Sequence, residues 1–158
     1  MFTAIARPAT ESDVPCLTVL YGQLDTEMVA LKPVWRLTDG LPEPVAEALT
    51  SVIGSPSSGV LIGQIDAVPV GVLMWHVSTL LPQAGGEVAA VIDLIFTVPP
   101  AREVGVGEAM MALFAHESTD RDIRLFDAIV PPGHRAAKNF FESNGFKARK
   151  IIMHRDDR

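Results

Sequence analysis

Apolar and polar positions follow two rhythms along this chain, and the switches between them mark its elements. Residues 3–7 read as a short first strand, and Pro8-Ala9-Thr10-Glu11-Ser12-Asp13 as a turn carrying helix N-cap candidates. From Val14 the apolar spacing through Leu17, Leu20, Tyr21 and Leu24 has the period of a helix. Residues 25–40 fit no single rhythm: Pro33 limits a helix there, and Trp35 is a candidate anchor. Residues 43–53 predict a second helix, starting around Pro42 or Pro44 and ending near Gly54.

The rhythm then becomes strand-like. Residues 60–65 and 68–78 flank Asp66-Ala67 as in a tight hairpin, and residues 89–98 form a third apolar segment with one acid, Asp93, inside it. Residues 105–117 predict a helix, 123–130 a strand, and 135–143 a helix stopped by Asn144-Gly145. Residues 147–154 are expected to close the sheet. Three consecutive strands favour antiparallel pairing, and the later β-α-β unit adds a parallel pair, so the pattern is a mixed α/β domain of the α+β type. With 158 residues and neither a repeat nor a long linker, residues 1–158 read as a single domain able to bury a core.

The join between the third strand and the following helix is Arg102-Glu103-Val104-Gly105-Val106-Gly107. Glycines there free the backbone of side-chain bulk where the first helix N–H groups have no partner, and such a helix start attracts phosphate. Tight packing is the alternative reason for paired glycines. The turn lacks the Lys-Ser/Thr pair of a Walker loop, and it matches the dinucleotide fingerprint only partly, with Met110 where a third small residue belongs.

Composition narrows the partners. The formal net charge is −6, with 19 acidic against 13 basic residues, which argues against general nucleic-acid binding. Asp25, Glu27, Asp39, Glu43 and Glu47 crowd one stretch, either as a solvated surface or as a rim that attracts a cationic substrate. No apolar run approaches the ~20 residues that span a bilayer, and residues 1–7 predict no signal peptide. A single cysteine, Cys16, excludes an intrachain disulfide and fits a cytoplasmic location. Its apolar helical setting reads as a structural thiol rather than a nucleophile.

Three segments together resemble the GCN5-related N-acetyltransferase (GNAT) superfamily. Residues 5–13 are similar to its opening strand and turn, residues 102–107 to its Arg/Gln-x-x-Gly-x-Gly/Ala pyrophosphate pattern, and Phe140-Phe141-Glu142-Ser143-Asn144-Gly145-Phe146 to its C-terminal signature. The element order matches along nearly the whole chain and is weakest over residues 25–53. The resemblance implies a central, mostly antiparallel mixed sheet of six to seven strands flanked by about four helices. It also implies acetyl-CoA, or another acyl-CoA, as donor, with direct transfer of the acyl group to a primary amine. Backbone of Arg102, Glu103, Val104, Gly105, Val106, Gly107 and Glu108 would hold the pyrophosphate, and that of Phe96, Thr97 and Val98 would pair with pantetheine. Lys138 and Arg135 are candidates for the nucleotide phosphate or are solvated surface charge. The expected partners are acyl-CoA and a small or peptide amine, with no nucleic acid, membrane or metal; a homodimer is left open.

Asp93 stands where many family members carry an acid and is the candidate base, directly or through water; the other reading is a structural acid. Strand alternation would set Asp93, Ile95 and Thr97 on one face. Phe141 replaces the tyrosine that often protonates the departing thiolate. Tyr21 and His134 are the candidates to replace it, although Tyr21 also reads as a core residue and His134 as an exposed loop ring. His76 is a further cleft candidate. The alternative to an enzyme is a degenerate domain that binds acyl-CoA as a sensor or interaction module.

Overall fold

The computed structural model describes residues 1–32 and 34–158; Pro33, expected to limit a helix, lies outside the described residues. Strand β1 (Ala4–Pro8) leads through a 3₁₀ turn into helix α1 (Val14–Leu31), followed by the single-turn α2 (Trp35–Thr38) and by α3 (Val45–Gly54). Then come β2 (Ser58–Ile65), β3 (Val68–Thr79), β4 (Val88–Thr97), α4 (Val106–Asp120), β5 (Leu125–Ala128) and α5 (Arg135–Ser143). The ambiguous stretch thus resolves into a long α1 and a short α2. Trp35 does anchor it, 2% exposed, with its indole N–H donating to Asp25 at 3.1 Å.

The five strands lie in the order β1-β2-β3-β4-β5, antiparallel except for the parallel pair β4–β5. Asp66 and Ala67 make the β2–β3 turn with φ of 48° and 69°, the left-handed pair that suits a two-residue hairpin. One face of the sheet buries Val60, Ile62, Val72, Met74, Leu94 and Phe96 against α1, α2 and α3. The other buries Leu61, Leu73, Trp75, Ala90 and Ile92 against α4 and Phe141 of α5. Trp75 and Phe114 are fully buried there and meet edge-to-face at 5.6 Å. Among the described residues, no helix is long and apolar enough to cross a membrane.

The sheet ends at β5, so the expected sixth and seventh strands are absent from the described residues. Residues 147–154 form no strand. Ile151, Ile152 and Met153 are 77%, 76% and 88% exposed, so none of them is buried against the sheet. The side chain of Arg149 ties this segment to Asp127 on β5. β5 itself is shorter than the predicted strand, because the N–H of Ile123 is taken by the Ser118 carbonyl in the turn that closes α4.

Candidate active site

The cleft originates where β4 and β5 part. Their pairing runs from Ala89–Leu125 to Ile92–Ala128, and one further bond joins Ile129 N–H to the Ile92 carbonyl at 3.0 Å. Beyond that point β4 continues to Thr97 with β3 on one side and, among the described residues, no strand on the other. Backbone groups alternate sides along a strand. Val98 N–H donates inward to Val70 at 2.9 Å, whereas the Thr97 carbonyl accepts from Arg102 Nε at 2.8 Å on the open side. By that alternation Thr97 and Ile95 present their backbone to the cleft, and Phe96 presents its backbone to β3. Val98 is spent internally, its carbonyl accepting from Ala101 at 2.9 Å.

A β-bulge sets Asp93 at the head of this cleft. Trp75 pairs with Ile92, and both bury on the α4 side; Met74 pairs with Leu94, and both bury on the α1 side. Asp93 is the unpaired residue between them, so alternation breaks there. Ile95 packs into the α4-side core, whereas the Asp93 carboxylate meets His76, which comes after Trp75 and so, by alternation, faces the α1 side. The expected shared face of Asp93, Ile95 and Thr97 is therefore corrected by the bulge. His76 Nδ1 lies 2.8 Å from Asp93 Oδ2, with the two side chains 44% and 37% exposed. Burial pushes the Asp93 carboxyl above its ordinary value, and His76 pulls against that rise.

At the other end of β4, the glycine turn enters α4 through two left-handed residues, Glu103 (φ 65°) and Gly105 (φ 94°). The first helical bond runs from Ala109 N–H to the Gly105 carbonyl at 3.0 Å. The N–H groups of Val106, Gly107 and Glu108 consequently precede the helical ladder, at the positive end of the dipole. Gly107 serves packing: a Cβ there would lie 3.1 Å from the Phe140 ring of α5. The packing reading therefore holds at Gly107, while Gly105 supplies the left-handed entry into α4. The exposed side chain of Glu108 turns away, toward a hollow of about 270 Å³ between α4, Phe126 and Phe146.

Arg102 lies over the Phe96 ring at 5.6 Å and donates to Glu27 of α1 at 2.7 Å. The other oxygen of Glu27 faces His134 Nε2 at 3.8 Å, so one carboxylate spans the residues that follow β4 and β5. His134 caps α5: its Nδ1 accepts the Ala137 N–H at 3.1 Å, which places the ring hydrogen on Nε2. In sequence Glu27 is only one of an acidic group, since nothing local tells a carboxylate on α1 that it reaches a turn beyond β4. The rest of that group is partly spoken for: Asp25 binds Arg36, and Asp39 binds Lys32.

Tyr21 is buried, and its oxygen accepts the Leu41 N–H at 2.7 Å, so it braces the loop before α3. Burial raises its hydroxyl above the ordinary range. Phe141 is 4% exposed and meets Phe140 and Phe146 edge-to-face. Lys138 is exposed and paired with Glu142 on its own helix.

No protein-family model matches the sequence, and no curated protein does. Solved structures do match along the full length. A transcriptional regulator from Bacillus halodurans C-125 superposes with a TM-score of 0.74 at 21% identity, covering 96% of this chain and 99% of its own. A ribosomal-protein-alanine N-acetyltransferase from Brucella melitensis biovar Abortus 2308 gives 0.74 at 15% identity, covering 98% and 99%. AAC(6')-Iy in complex with the bisubstrate analogue CoA-S-monomethyl-acetylneamine gives 0.74 at 16% identity, covering 98% of each chain. At such identities the likeness is one of architecture: this chain has the fold of the GCN5-related N-acetyltransferases.

Proposed function

We propose that this protein is an N-acyltransferase that moves an acetyl or similar acyl group from acyl-CoA to a primary amine by direct attack. The observation that carries the reading is the continuity of the cleft. An ionisable pair at the β4 bulge leads along an unpaired strand edge to a helix start with free N–H donors. The donor, acetyl-CoA, supplies an activated thioester. The amides of Val106, Gly107 and Glu108 suit its pyrophosphate, and the guanidinium of Arg102 adds charge beside them. Glu103 puts a carboxylate in the same turn, which a site built from main chain tolerates. Ile95 and the N–H of Thr97 offer the strand edge that the amide-bearing pantetheine arm would extend. A β4 N–H directed into the cleft suits charge developing on the thioester oxygen.

The amine must lose a proton before it attacks, and the Asp93–His76 pair is the basic centre at the head of the cleft. Cys16 lies on α1, with its thiol pushed up by burial, which disfavours an acyl-enzyme route. Tyr21 takes no part in the proposal, given its buried bond to Leu41. Calorimetry with acetyl-CoA followed by a thiol-release assay over an amine panel tests the reading.

Phe141 favours a second reading, an acyl-CoA-binding module without turnover, because its ring has no proton to give and sits inside an aromatic cluster. Tight binding with no thiol release from any amine would select it.

A further inference from the structure

We infer that His76 is the catalytic base of this cleft, taking the proton from the incoming amine at Nε2, and that Asp93 is its positioning residue. This rests on the acyltransferase reading above. The bulge is what brings the two together: it turns the Asp93 side chain to the α1 side of the sheet, where His76 stands on the adjoining strand. Their contact at 2.8 Å uses Nδ1. A carboxylate there holds the ring hydrogen on Nδ1 and leaves Nε2 a free acceptor, the arrangement in which a third group orients a general base. Nε2 has no hydrogen-bond partner among the described residues, and the ring is 44% exposed.

Asp93 is less suited to meet the amine itself. One oxygen is committed to His76, and a carboxylate is a weaker base than imidazole at neutral pH. The surroundings leave the pair alone in this role. Across from His76 stand Ser58 on β2 and Val91 on β4, and Val52 of α3 accepts the Ser58 hydroxyl. Among the described residues, His76 is the titratable group that bears on Asp93.

The ammonium gives one proton to Nε2, and the freed lone pair forms the C–N bond at the thioester carbon. The C–S bond breaks with its electron pair on sulfur, and the second proton of the nitrogen passes to that sulfur. The imidazolium returns its proton to solvent. No tyrosine hydroxyl is required, which accords with Phe141.

The test combines pH–rate profiles with ¹⁵N imidazole spectra. His76→Gln should lower kcat/KM at neutral pH by about 10²–10³-fold and leave the acetyl-CoA Kd unchanged. The deficit should shrink as pH rises and the amine arrives neutral. Wild-type spectra should show His76 with hydrogen on Nδ1, and Asp93→Asn should redistribute it. A His76→Gln enzyme with wild-type rate and profile would overturn the assignment, as would a His76 ring carrying its hydrogen on Nε2. Wild-type protein that binds no acetyl-CoA would instead overturn the acyltransferase reading, and the base role with it.

Discussion

Glu27 and Arg102 are 75 residues apart in sequence, yet their side chains meet at 2.7 Å at the mouth of the proposed phosphate site. A carboxylate therefore competes with any anion for this guanidinium. Glu27→Gln should free Arg102 and tighten acetyl-CoA binding by about two- to fivefold, a gain of roughly a surface ion pair. Arg102→Ala should weaken binding by about tenfold or more, as expected for a charge-assisted phosphate contact. Calorimetry at low salt reads both; weaker binding by Glu27→Gln would show that the carboxylate is needed to aim Arg102.

The two glycines of the turn should respond differently to alanine. Gly105 has a φ of 94°, where a Cβ costs about 1–2 kcal/mol, so Gly105→Ala should lower urea-unfolding stability by that amount. Gly107 lies inside α4, where alanine is favoured by about 1 kcal/mol, but its Cβ would crowd the half-buried Phe140 ring at 3.1 Å. The two effects oppose, so Gly107→Ala should fall within about 1 kcal/mol of wild type. A large loss at Gly107 would mean that the Phe140 ring cannot shift.

His134 acts on α5 through its cap. His134→Ala should cost about 1 kcal/mol of stability, and His134→Asn should recover most of it, since asparagine is among the best N-caps. Equal losses in both, measured by urea denaturation, would remove the cap from the account.

Asp13 provides a pH test of the opening turn. It accepts from both Arg7 guanidinium nitrogens at 2.8 Å and from Thr10 N–H at 2.8 Å. Arg7 foremost holds its carboxyl down to about 2, below the ordinary 3.8. A depressed carboxyl contributes stability that is present above the ordinary value and lost as pH falls toward the folded-state value. Wild type should therefore lose stability between about pH 4 and 2 more steeply than Asp13→Asn, with unfolding midpoints reading the difference. Parallel curves would deny the linkage.

The hairpin at Asp66-Ala67, the glycine turn and the Asn144-Gly145 stop were legible because each depends on neighbouring residues. The bulge at Asp93 was not, because it arises from register with β3: strict alternation assigns the wrong face from that residue onward. Glu27 was hidden for a related reason, since its partners follow β4 and β5, far along the chain. Residues 147–154 misled through composition. Their apolar residues suggest a strand, but Ile151, Ile152 and Met153 stay exposed and bury nothing against the sheet.

The central claim is that the cleft from the β4 edge to the start of α4 holds acyl-CoA. Titration of acetyl-CoA into the protein by calorimetry addresses it most directly. The account predicts saturable one-to-one binding, weakened by Arg102→Ala and by added salt. No heat of binding at millimolar acetyl-CoA, or binding indifferent to Arg102, would contradict it.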